Sequence, residues 1–133
     1  MSSSFRELRV WQEAMKSASE TYRLTAEFPR YEMYGLSQQM RRAAVSVPSN
    51  IAEGKGHRTD REFSAFLFHA RGSLLELQTQ IMIAEELEYV PKEKTQALLD
   101  ATSVVRSQFE WSDQFPSRKG SVSQVKVLLT TKD

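Results

Sequence analysis

His57 and His69 are the two histidines of a 133-residue chain that has no cysteine. They are the first places to look for a base or a metal ligand. Glu53 and His57 are four residues apart. That spacing would set both on one helix face, but Gly54 and Gly56 interrupt the helix that would align them. No HExxH occurs, and the Glu-x-x-His pairs of di-iron bundles are absent. His69 reads as a packed or hydrogen-bonded helix residue. No GxSxG elbow is present to activate a serine. The run EGKGHR, residues 53–58, has the glycine and lysine of a phosphate-binding loop. That loop needs four residues between its first glycine and Gly-Lys-Ser/Thr, following a strand. Here one residue separates the glycines, and a helical pattern precedes them. The expectation is a non-enzyme with no catalytic residue, no metal site and no cofactor.

Cations offer a different chemistry. Between residues 41 and 61 stand Arg41, Arg42, Lys55, Arg58 and Arg61 against Glu53 and Asp60, an excess of +3. Between residues 76 and 100, six acids face two lysines, an excess of −4. In an antiparallel bundle these two segments turn at opposite ends, so the molecule should have a basic end and an acidic end. The basic residues suit a polyanion such as RNA or DNA. They equally suit helix and interface salt bridges.

The elements that must carry these residues are helical. Ser4 followed by Glu7 matches a capping box, as does Thr59 with Glu62. Leu8, Trp11, Met15, Ala18, Tyr22 and Thr25 step by three and four along a first helix. Pro29 should end it, because proline disfavours helix at the preceding residue. Leu36, Met40, Ala43, Val47 and Ile51 form the stripe of a second helix over 32–53. Pro48 lies inside it and should kink it, since it lacks the N–H due to the Ala44 carbonyl and its ring crowds that group. Ser46, Ser49 or Asn50 are placed to satisfy the freed groups. GKG, residues 54–56, stops the helix through glycine's left-handed reach. A third helix of roughly 28 residues, about 42 Å long, carries Phe63, Phe66, Ala70, Leu74, Leu77, Ile81 and Ala84. It is too long for the short recognition helix of a helix-turn-helix protein. Pro91 suits the first turn of a fourth helix, whose stripe is Leu98, Thr102, Val105, Phe109 and Ser112, ending near Pro116.

Short connections between amphipathic helices define an all-α, antiparallel up-down four-helix bundle over residues 5–115. Residues 116–133 read as a flexible tail, in which VKVLL has strand propensity but no evident partner. Val10 and Ala14 on helix one, and Leu67, Leu75, Met82 and Ile83 on helix three, lie outside the main stripes. They give either a wide core or a subunit interface. Net charge is +1, so bulk charge does not by itself hold nucleic acid. The N-terminal segment carries charges where a signal peptide would be apolar, and no run of about 18 apolar residues crosses a membrane. A cytoplasmic protein is expected.

Three segments carry a resemblance: FRELRVWQEAM, FPRYEMYGLSQQMRRAAVSVPSNIAEGKGHR and EFSAFLFHARGSLLELQTQIMIAEELEYV. Within them stand Glu32, Gly35-Leu36, Gln39, Arg41-Arg42-Ala43, Ser46, Pro48, Asn50 to Gly54, Arg58 and Gly72-Ser73. This pattern resembles the bacterial four-helix-bundle family related to proteins encoded in 23S rRNA intervening sequences. The likeness covers roughly residues 5–90 strongly and helix four weakly. It implies ring-shaped homopentamers and no catalysis. It is more distantly similar to the accessory variability determinant proteins of retroelements, which implies nucleic-acid and reverse-transcriptase binding. The reading carried forward is an oligomeric bundle that binds RNA or DNA through Arg41, Arg42, Lys55, Arg58 and Arg61. The alternative is a protein-interaction scaffold.

Overall fold

The computed structural model describes residues 4–111 and 125–127. Four helices dominate: α1 Arg9–Thr25, α2 Leu36–Lys55, α3 Asp60–Glu86 and α4 Lys92–Ser107. Short 3-10 turns occupy Phe5–Glu7 and Arg30–Glu32. α1 packs on α2 and α4, and α3 packs on α2 and α4, so the helices close a ring around an interior with two apolar clusters, one about Ile51 and Leu74 and one about Met40 and Ile81. Cross-helix bonds tie neighbours together. Ser46 meets Ser73, Gln78 meets Thr102, and Glu27 meets Lys94. The connections 56–59 and 87–91 are too short for a parallel return, so α2, α3 and α4 run antiparallel to their neighbours. The expected antiparallel four-helix bundle is the architecture observed.

Local chemistry sets the helix ends. Thr59 Oγ1 accepts the Glu62 N–H at 3.1 Å, and Glu62 Oε1 accepts the Thr59 N–H at 3.4 Å. This reciprocal capping box opens α3, as its spacing predicts. Ser4 behaves differently. Its hydroxyl accepts from the Arg6 N–H at 3.2 Å and caps the 3-10 turn, while α1 begins later behind Leu8, with no side-chain cap. At the start of α2, Gly35 has no side chain to offer. Glu32 Oε1 reaches forward instead and accepts the Leu36 N–H at 2.8 Å.

α2 runs unbroken through Pro48 to Lys55, so the proline does not terminate it. A continuous helix is what the structure shows there; the bend remains an expectation of proline chemistry. Asn50 Nδ2 donates to the Ser46 carbonyl at 2.8 Å and to Ser46 Oγ at 2.9 Å, and Ser46 Oγ lies 2.8 Å from Ser73 Oγ. These polar groups tie α2 to α3 just beside the proline. The glycines after it do not act as a left-handed stop. Gly56 has φ −78° and ψ −8°, ordinary right-handed geometry. Gly54 has another job: a Cβ there would lie 2.6 Å from Phe66 Cβ, so the absent side chain lets α2 and α3 approach closely.

The core of α1 differs from its expected stripe. Val10, Ala14, Ser17, Thr21 and Leu24 are buried with Ala18 and Thr25, while Met15 and Tyr22 are 42% and 46% exposed. The inner face of α1 is thus built from small residues. Its buried hydroxyls are satisfied within the helix: Thr21 Oγ1 donates to Ser17 O at 2.7 Å, and Thr25 Oγ1 to Thr21 O at 2.8 Å. Most of the α2 and α3 stripes point inward as expected, with Met40, Ile51, Ala70, Ile81 and Ala84 all fully buried, while Leu36, Phe63 and Phe66 are half-buried. Leu67, outside the expected α3 stripe, joins the core, whereas Met82 and Ile83 are exposed.

α4 ends at Ser107, short of Pro116. Phe109–Trp111 forms a strand, β1, paired antiparallel with Val125–Val127, β2, in the register Phe109↔Val127 and Trp111↔Val125. VKV therefore has a partner, one that helical spacing had assigned to α4. The remainder of the tail expectation falls outside the described residues.

Candidate nucleic-acid interface

The five candidate cations fall into two groups. Arg41 and Arg42 stand early in α2 and Lys55 at its end, about 21 Å apart at the helical rise of ~1.5 Å per residue. Lys55, Arg58 and Arg61 gather around the α2–α3 connection. Arg58 and Arg61 are exposed, and among the described residues neither has a carboxylate within ion-pair distance. Lys55 is half-buried, with Nζ 5.9 Å from the centre of the Phe63 ring. His57 is accounted for locally. Its ring lies 4.7 Å from Phe66, and Nδ1 stands 3.6 Å from Glu62 Oε1. The Thr59 N–H, and after it the Arg58 N–H, hold the Glu62 carboxyl below the usual carboxylate range. His69 lies exposed on α3. Among the described residues no three His, Asp or Glu side chains converge to hold a metal.

Arg41 and Arg42 belong to the opposite half of the bundle, where the acids collect. Three of the acids there, Glu27, Glu32 and Glu85, are engaged with other groups. Lys94 Nζ pairs with Glu27 at 2.7 Å. Glu85 accepts from Gln96 at 2.8 Å and Thr95 at 3.1 Å, and these bonds lower its pKa. Glu32 accepts from the Tyr89 hydroxyl at 2.6 Å and from the Leu36 N–H, which together hold its carboxyl below the usual range. The same bond pushes the Tyr89 phenol above the ordinary tyrosine range. Arg41 is fixed by its Nε–H, which donates to Thr25 Oγ1 at 2.8 Å, and by its guanidinium lying 4.9 Å from the Tyr22 ring centre. Arg42 is exposed.

Around these two arginines lies a pocket of about 370 Å³ lined by Tyr22, Met33, Tyr34, Gln38, Arg41 and Arg42. Its tyrosines and Met33 are residues that charge counting passes over. The signal was present in YEMYG, an aromatic-rich connection beside two arginines. Further along, α1 and α2 enclose an apolar groove of about 620 Å³ whose walls include Trp11, Met15, Val45 and Pro48.

The bundle and its surface cations define an all-α protein in which the described residues converge on no metal site. A family profile described as 23S rRNA-intervening sequence protein matches residues 6–110. The chain belongs to that family. Among solved structures, the chain is similar to a protein of unknown function from the S23 ribosomal protein family of Bacteroides thetaiotaomicron VPI-5482. The TM-score is 0.69 at 17% identity, over 74% of this chain and 92% of the other, a likeness of fold. Comparison with curated proteins returns no match.

Proposed function

We propose that this chain is a non-enzymatic, self-associating bundle that binds nucleic acid through cations presented at the α2–α3 end. The observation carrying the reading is the exposure of Arg58 and Arg61, without carboxylate partners among the described residues, beside Lys55. One copy of this patch is small. Copies arrayed in a ring would act together, because one contact raises the effective concentration for the next. Self-association is supported by apolar surface on separate elements: the Trp11–Met15–Val45 groove of α1 and α2, and exposed Met82 and Ile83 on α3. A heterologous contact between two such surfaces generates a ring when its rotation closes. The expected number of five comes from the family resemblance.

Anisotropy titrations with labelled RNA and DNA at rising salt test the reading. If Lys55, Arg58 and Arg61 of one subunit each neutralise a phosphate of duplex DNA, log K should fall with log salt at a slope of about −2.7. Arg58→Glu with Arg61→Glu should abolish most of that binding. Absence of binding at low salt to either polymer refutes it. The second reading, a protein-interaction scaffold, would turn the same exposed Met82 and Ile83 to a different protein. It gains if the apolar surface captures a protein while nucleic acid is ignored. Light scattering at one subunit mass refutes self-association.

A further inference from the structure

We infer that the pocket between the α1–α2 connection and the start of α2 is a binding platform for unpaired nucleobases of a single-stranded nucleic acid. Tyr34 and Arg42 are its principal contacts. This inference rests on the nucleic-acid reading above and adds a second site to it, on residues that reading does not use for duplex contact.

The argument begins with Tyr34. Tyr34 is 85% exposed, beside Met33 at 52% exposed. A tyrosine held in the open by a short connection offers a flat apolar face that folding has not used. Tyr22, on the neighbouring helix, is 46% exposed and has the Arg41 guanidinium 4.9 Å from its ring centre. Arg41 is locked there by the 2.8 Å bond from its Nε–H to Thr25 Oγ1. The platform therefore includes a guanidinium plane whose position is already fixed, so little side-chain freedom is lost on binding.

Charge separates this patch from an ordinary apolar one. Among the described residues neither Arg41 nor Arg42 has a carboxylate within ion-pair distance. Of the connection's own acids, Glu27 is ion-paired with Lys94, and Glu32 keeps its charge but directs it to the Tyr89 hydroxyl and the Leu36 N–H, with no ion pair to either arginine. The positive charge is thus available to an anion. Aromatic side chains and guanidinium groups lining one pocket match a polymer whose bases stack and whose linkers are phosphates. Gln38 adds an amide that can both donate to and accept from a base edge. A duplex hides its base faces and offers this patch only phosphate.

The test uses the full chain and labelled oligouridine and oligothymidine about ten nucleotides long, matching single-strand site sizes. Each is compared with its duplex by anisotropy. Tyr34→Ala should weaken single-strand binding about tenfold, within the range for loss of one base stack, and leave duplex binding unchanged. Tyr34→Phe should bind as wild type, because the ring face carries the contact. Arg42→Ala should reduce the single-strand salt slope by about 0.7. If single strands bind, Tyr34→Ala matches wild type, and only the Arg58 and Arg61 variants lose affinity, this inference fails and the α2–α3 reading stands. If wild type binds no nucleic acid at low salt, both fail together. A change of mass in light scattering on Tyr34→Ala would make the patch a subunit contact and overturn the inference.

Discussion

Gly54→Ala decides whether close helix approach holds this bundle together. Helix propensity alone favours the substitution, since alanine in a helix interior is better than glycine by about 1 kcal/mol. Packing opposes it. The new Cβ would sit 2.6 Å from Phe66 Cβ, 3.0 Å from Phe63 Cδ1 and 3.3 Å from the Phe63 carbonyl oxygen. Phe66 Cβ is bonded directly to the backbone and cannot swing aside. Restoring ordinary contact at 3.4 Å requires α2 and α3 to separate by about 0.8 Å. A gap of that size forfeits roughly a quarter to a half of each affected dispersion contact. Overpacking of this rigid kind costs on the order of 2–3 kcal/mol. Subtracting the propensity gain leaves a loss of about 1–2 kcal/mol. In urea the midpoint should fall by roughly 1 M at unchanged slope. Gly72→Ala is the internal control. It lies within α3, exposed, with no atom within 4 Å of the added methyl. It should raise stability by about 0.5–1 kcal/mol. If Gly54→Ala raises the urea midpoint as Gly72→Ala does, the close-approach argument is wrong.

Other outcomes follow from the polar contacts. Glu32 has its pKa lowered by the Tyr89 hydroxyl and then the Leu36 N–H. Its contribution to stability is therefore present above the ordinary carboxylate range and lost as pH falls through the folded-state value. Tyr89→Phe should bring the Glu32 carboxyl back toward its ordinary value, read by NMR titration; an unmoved titration would show that the bond is not formed in solution. The Tyr89 phenol is raised, so its contribution is complete below the ordinary tyrosine range and fades above it. Difference absorbance between wild type and Tyr89→Phe should show a tyrosine ionising late. Thr59→Ala removes the α3 cap and should cost about 1 kcal/mol in urea unfolding. Ser46→Ala and Ser73→Ala should each cost about 1 kcal/mol, and the double variant clearly less than the sum, because they share one bond.

How much of this is legible in the sequence depends on what each signal measures. The start of α3 is readable because Thr59 and Glu62 satisfy backbone groups at fixed offsets, a local matter. The faces of α2 and α3 are readable because their longest apolar stripes are also the ones that turn inward, although Leu67 joins the core from outside the α3 stripe. α1 is ambiguous for a physical reason. Trp11, Met15 and Tyr22 recur at helical spacing, and so do Val10, Ala14, Ser17 and Thr21. Periodicity says that residues share a face, and not which face turns inward. Size misleads here, because a helix that must pack closely buries alanine, serine and threonine and leaves its large residues beside the α2 groove. The candidate site divides for a related reason. Counting charge between residues 41 and 61 treats a 20-residue helix as a point, although it carries Arg41 and Lys55 to different halves of the bundle. Tyr22 joins the two errors. Taken as core, it hides the surface on which Arg41 rests; placed outside, it turns an isolated arginine into one side of an aromatic pocket. A residue's orientation thus decides whether its neighbours are read as packing or as a binding surface, and orientation is what spacing leaves open.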